Sequence, residues 1–207
     1  MGHGRLHSNS MTTTDPFELN IHGAALLSLV AESVRYAAER GEPLRVLPTE
    51  FPHPLQRTGA SFVTLKKSAD LRGCIGSLEA TEPLVVNVAS NAHGAVARDS
   101  RFPTVQMVEL YDMKASVSVL SPLSALPFAD EADLLRKLRP GVDGLVISNG
   151  KQRSTFLPQV WEYLPDPVDF LSALKRKGGF DTAHLASSSK AWRYEVSDIG
   201  PISLEIA

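Results

Sequence analysis

From Ala24 to Arg40, apolar residues recur at Leu26, Leu27, Val30, Val34, Ala37 and Ala38. This is the spacing of one buried stripe on a helix, and Gly41 supplies its stop. Pro43, Pro48, Pro52 and Pro54 then crowd a short stretch, which predicts an extended surface linker rather than a regular element. Phe62 to Leu65 reads as a strand, Lys66 to Asp70 as a turn, and Leu71 to Ile75 as the returning strand of a hairpin. Alternation along that strand predicts Arg72 and Cys74 on one face, with Leu71 and Ile75 turned toward a core.

Thr81-Glu82-Pro83 has the hydroxyl, early acid and early proline of a helix entry, and a helix is expected from there to Arg98. Leu84, Val85, Val88, Ala89, Ala92, Ala95 and Val96 share one face of it. Asn87, Ser90, Asn91, Gly94 and Arg98 form a second, polar stripe with the composition of a cleft wall. After Phe102-Pro103, Lys114 to Leu120 alternates as a strand with Ala115, Val117 and Val119 facing inward.

Asp130 and Asp133 bracket the first turn of a short helix carrying Leu134, Leu135 and Leu138, which Pro140-Gly141 ends. Leu145 to Ser148 and Gln152 to Leu157 flank Asn149-Gly150, a strong hairpin signal. Asp166-Pro167 and Asp169 open a further helix through Phe170, Leu171 and Leu174, closed by Gly178-Gly179, and Trp192 to Val196 reads as a late strand. Strands arriving in hairpins, with helices between the groups, predict an α+β fold with a mainly antiparallel sheet.

The chain has 207 residues, enough for one large domain or a main lobe with an appendage. Its 23 acidic and 21 basic residues leave a formal charge of −2, too little positive field to concentrate a polyanion, so no nucleic-acid role is expected. No apolar run reaches the roughly 18 residues of a membrane span. One cysteine rules out an intrachain disulfide and a multi-thiolate zinc site, and no signal-peptide pattern appears, so the expected setting is a reducing cytoplasm. Residues 1–16 are expected to form a disordered leader or added tail, with Met11 a candidate initiator, and His3 and His7 are set aside with it.

The candidate chemistry centres on Leu71-Arg72-Gly73-Cys74-Ile75-Gly76. A guanidinium beside a sulfur favours the thiolate, and Gly73 and Gly76 admit a ligand or another backbone at close range. Cys74 is therefore the candidate nucleophile, weighed against the ordinary alternative of a small packing residue. His53 and His93 are the available imidazoles, with nothing in the sequence to place either beside the sulfur. Asp99 and Arg101 could bind a polar ligand or form an ion pair that fixes the turn, and the ion pair is favoured. Arg72 could clamp an anion, or pair with Asp99 or Glu79. Histidine spacing gives no metal motif, and Gly141 to Gly144 lacks the lysine and hydroxyl of a phosphate loop. Trp161 and Trp192 are expected to be packing residues.

The hexapeptide resembles the signature of the AMMECR-like domain family, whose bacterial members are called AmmeMemoRadiSam system protein A. The likeness extends through Thr64-Leu65-Lys66, Asp99-Ser100-Arg101-Phe102-Pro103, Ser116-Val117-Ser118-Val119-Leu120-Ser121, Gly141-Val142-Asp143-Gly144-Leu145, Phe156-Leu157-Pro158-Gln159-Val160-Trp161 and Leu174-Lys175-Arg176-Lys177. The chain departs from the pattern at His93-Gly94 and at Gly178-Gly179. The resemblance implies a single domain over 17–207, made of a large and a small lobe. Its antiparallel sheet is expected to be barrel-like and flanked by helices, with a cleft between the lobes. That cleft carries the hexapeptide, and with the helix stripe and the helix exit read above the expected cleft residues are Arg72, Gly73, Cys74, Gly76, Asn87, Asn91, Asp99 and Arg101, with no metal and no cofactor expected. The family name also implies a partner module, acting with a Memo-like protein and a radical S-adenosylmethionine enzyme, in a monomer or weak dimer. An enzyme using a Cys74 thiolate in group transfer or modification of a small molecule is the alternative.

Overall fold

The computed structural model describes residues 21–186 and 188–205, so the expected leader over 1–16 lies outside the described residues. The chain divides into two compact units, one ending at Val117 and resuming at Ile199, the other Ser118–Asp198.

In the first unit, helix α1 (Gly23–Arg40) buries Leu26, Val30, Val34 and Ala37, and Gly41 caps it in the left-handed conformation at φ 71°. The proline-rich stretch that follows is not wholly extended. It makes a 3-10 turn, Pro48–Glu50, and a one-turn helix α2, His53–Gln56, both with proline in the first turn, where its missing N–H costs nothing. Strands β1 (Thr58–Lys67) and β2 (Asp70–Gly76) form the predicted hairpin, with Ser68 at positive φ in a turn tighter than expected.

Thr81 is not a helix cap. Glu82–Pro83 is a two-residue strand, β3, paired with Thr58 and Gly59 of β1, and helix α3 begins only at Leu84 and runs to Ala97. Strand pairing takes the residues whose local signal reads as a cap. Helix α3 packs on α1, β1 and β2, burying the apolar face read from the sequence but also Asn87, Asn91 and Gly94. Strands β4 (Met113–Leu120) and β9 (Val196–Ser203) complete a sheet of order β2-β1-β4-β9, with β3 beside β1. Among the described residues β2 and β9 are edges, so the sheet is open and not a closed barrel.

The second unit holds a four-stranded sheet, order β5-β8-β6-β7, formed by Ser124–Ala125, Lys190–Tyr194, Gly144–Ser148 and Arg153–Phe156. β5 with β8, β8 with β6, and β6 with β7 all pair antiparallel. The expected single strand at Trp192 to Val196 is instead the end of β8 and the start of β9. Helices α4 (Glu131–Lys137) and α5 (Pro167–Lys177) are capped by Asp130 and Asp166, whose side chains accept from Asp133 N and Val168 N at 2.7 Å. The β6–β7 connection is a four-residue loop, with Asn149 Oδ1 accepting from Lys151 N and Gln152 N. Trp161 stacks on Phe170 at 3.7 Å between ring centres and donates its indole N–H to Asp143 O.

Candidate functional site

β2 lies at the sheet edge, and the structure brings Cys74, Asp99, Arg101, Arg72 and Gly73 together around it. Cys74 is paired with Thr64 on β1. In an antiparallel ladder the amide groups of a residue either both meet the neighbouring strand or both turn away from it. Those of Cys74 turn away. Its N–H donates to Asp99 Oδ2 at 2.8 Å, and its carbonyl accepts from Arg101 Nη2 at 3.2 Å. The carboxylate and guanidinium thus occupy the hydrogen-bonding positions that a further strand would use, a device that closes an exposed edge.

The pair is fixed at the exit of α3. Asp99 Oδ1 accepts from the Arg101 backbone at 3.2 Å and from Arg101 Nε at 2.9 Å, while Arg101 Nη2 reaches Oδ2 at 2.7 Å. Asp99 is buried, yet the Arg101 hydrogen bonds hold its carboxyl well below the usual carboxylate range, outweighing burial. Arg101 is correspondingly raised, chiefly by Asp99, with smaller contributions from the Cys74 side chain. The Asp99–Arg101 ion pair read from the sequence is present, and it grips the cysteine's backbone.

Arg72 goes elsewhere. The β1–β2 register shifts between Leu65 and Lys66, whose partners are Gly73 and Leu71, so Arg72 is the extra residue of a bulge. Bulges re-aim side chains, and two corrections follow. Leu71 does not enter the core and is 40% exposed. Arg72 does not pair with Asp99: its Nε and Nη2 donate to the two oxygens of Glu109 at 3.0 and 2.8 Å, and its Nη1 donates to Pro103 O. Lys67 also approaches Glu109, at 3.5 Å. These cations hold the Glu109 carboxyl down to about 2, with Arg72 the largest influence. The guanidinium that reaches Cys74 is therefore that of Arg101, and it does so through the carbonyl. Phe102 sits between the two guanidinium groups, 6.0 Å from Arg72 and 5.5 Å from Arg101.

Sequence reasoning missed Glu109. The available signal was Gln106-x-x-Glu109, which forms a reciprocal capping box on the 3-10 turn Met107–Asp112.

The motif glycines serve packing. A Cβ on Gly73 would collide with the Ala95 carbonyl of α3, and one on Gly76 would enter the Phe62 ring and lie 2.6 Å from Ser61 O. Conversely, a Cβ on Gly94 of α3 would lie 2.7 Å from Ile75 Cγ2. Strand and helix therefore touch through a glycine on each side. Asn87 and Asn91 are buried in a network around Ser61. Asn87 Oδ1 accepts from Ser61 N at 3.0 Å, Ser61 Oγ at 2.8 Å and Asn91 Nδ2 at 3.0 Å, and Asn91 Nδ2 also donates to Ser61 O.

Cys74 itself is half-buried, and its sulfur accepts from Thr64 Oγ1 at 3.4 Å. Among the described residues no imidazole or carboxylate side chain hydrogen-bonds to it. His93 Nε2 lies 3.2 Å from the Gly41 carbonyl at the end of α1, and His53 is exposed on α2. Among the described residues no group of three or more His, Cys, Asp or Glu is placed to hold a metal ion, and no helix is long and apolar enough to cross a membrane.

Beside β2, the 3-10 turn Met107–Asp112 is stitched to the hairpin by the Arg72–Glu109 pair and by Ser68 N donating to Asp112 O. It leaves Val108 76% and Tyr111 59% exposed. In the second unit, Gly141-Val142 and Pro158-Gln159 meet at a cleft of about 510 Å³ whose charged lining, Glu162, Glu195 and Asp198, is wholly acidic.

A sequence model of the AMMECR1 family matches residues 27–199. A protein of Methanothermobacter thermautotrophicus is 36% identical over 158 residues, covering 76% of this chain and 82% of its own. Protein MJ0810 of Methanocaldococcus jannaschii is 33% identical over 155 residues, covering 73% and 77%. The crystal structure of the uncharacterized protein PH0010 from Pyrococcus horikoshii superposes with a TM-score of 0.73 at 28% identity, covering 85% of this chain and 89% of that one.

Proposed function

The chain belongs to the AMMECR1 family, and we propose that it acts as a non-catalytic partner module whose docking face lies beside the Leu71 to Gly76 strand. The partners inferred from the family resemblance are a Memo-like protein and a radical S-adenosylmethionine enzyme. The observation that carries this reading is the contrast between two neighbouring surfaces. The charged groups of the motif, Arg72, Asp99, Arg101 and Glu109, are all spent on one another and on the backbone. The adjoining Leu71, Val108 and Tyr111 are large apolar side chains left in solvent, the composition of a protein contact. Binding of the purified partners to the wild-type chain, and to variants of each surface, tests the reading.

A second reading, an enzyme with a Cys74 thiolate, is favoured by one observation: the Arg101 guanidinium reaches the cysteine, donating to its carbonyl at 3.2 Å. Against it stands the hydroxyl, rather than a base, that bonds the sulfur.

A further inference from the structure

In the second unit a cavity of about 300 Å³ opens where β5 parts from β8. Ala125 is paired with Trp192, and the Leu126 N–H still donates to the Ala191 carbonyl at 2.9 Å. Pro127 has no N–H with which to continue the ladder, and its carbonyl is drawn instead to Lys137 Nζ at 2.8 Å. The resulting space is floored by Leu126 and Ala191, both part of the unit's buried core, and walled by Phe128 and Trp192.

One charged group interrupts this apolar lining. Lys190, exposed at the start of β8, is the sole charged residue of the lining among the described residues. A cation at the mouth selects an acceptor with negative charge.

We propose that this cavity binds a small apolar carboxylate. Its hydrocarbon body lies against Trp192, Phe128 and Leu126, and its carboxylate accepts from the Lys190 ammonium. The volume sits at the lower end of the ~300–1,000 Å³ range of small-ligand sites, suited to one or two fused rings. No carboxylate lines the cavity, so an amine of the same shape has no partner there. The site is independent of the partner reading of the first unit.

Calorimetric titration of the full chain with 1-naphthoate, 1-naphthalenemethanol and 1-naphthylmethylamine tests it. Naphthoate binds saturably, at least about tenfold more tightly than the alcohol, with the amine weakest. Lys190→Gln, a surface change that leaves the melting temperature in place, abolishes the preference for acid over alcohol. Naphthoate also quenches tryptophan emission in the wild type, and Trp192→Phe removes that response. No saturable binding of naphthoate, equal affinity for acid and alcohol, or an undiminished acid preference in Lys190→Gln overturns the proposal.

Discussion

Asp99 Oδ2 lies 2.8 Å from the backbone nitrogen of Cys74, and through this contact, not through the thiol, the exit of α3 is joined to the strand that marks the family. Arg101 completes the arrangement from the other side, donating to the carbonyl of the same residue. Together they satisfy both backbone groups of one edge residue, as a neighbouring strand would.

Asp99→Ala strips the acceptor from the Cys74 N–H and leaves Arg101 without its carboxylate. The expected loss is about 2–4 kcal/mol of unfolding free energy in urea titration. Asp99→Asn, which keeps a side-chain oxygen for the N–H, should lose less. Equal losses in the two variants would mean that the Cys74 hydrogen bond contributes nothing.

Glu109 should impose a pH dependence. Its folded-state carboxyl is lowered from 4.5 to about 2, so its contribution is fully present above about pH 4.5 and fades as pH falls toward about 2. At neutral pH the wild type should exceed Glu109→Gln by on the order of 2–3 kcal/mol. Melting temperatures of the two proteins, followed from pH 7 to pH 2, should converge across that window. A gap that stays constant throughout would contradict the Arg72–Glu109 pairing.

Helix α1 was legible almost residue for residue, because its stripe from Leu26 to Ala37 and its stop at Gly41 are local signals. So were the Asp130 and Asp166 caps. The β1–β2 hairpin was legible too, but the faces of β2 were not. Alternation assumes an unbroken ladder, and the bulge at Arg72 sends that side chain to Glu109 and leaves Leu71 in solvent. Asn87 and Asn91 read as a cleft wall because their partner, Ser61, is more than 25 residues away in sequence and visible only after folding. Strand β9 holds Gly200 and Pro201 and, among the described residues, pairs on one side, so periodicity gave it no signature.

Gly73→Ala should be costly, since its new methyl meets the Ala95 carbonyl, which is backbone and cannot rotate away. A loss of about 2–4 kcal/mol is expected. Gly150→Ala is the comparison, because only its positive φ of 86° opposes the methyl and the space around it is open. About 1 kcal/mol should suffice there. Chemical denaturation of both variants distinguishes contact from conformation, and a Gly73→Ala protein as stable as wild type would refute the close helix approach.

Cys74 should alkylate more slowly in the folded protein than in urea, because it is half-buried and bonded to Thr64. Iodoacetamide labelling at neutral pH, read by mass, measures this directly. Faster labelling in the folded state would favour the thiolate reading.

The most direct test of the account is the affinity of the purified Memo-like and radical S-adenosylmethionine proteins for the wild type, Cys74→Ala and Val108→Asp. The account predicts that at least one partner binds, that Cys74→Ala stays within about twofold of wild type, and that Val108→Asp, placing a charge on the exposed apolar face, weakens binding at least about tenfold. Binding of neither partner, or a loss confined to Cys74→Ala, would contradict it.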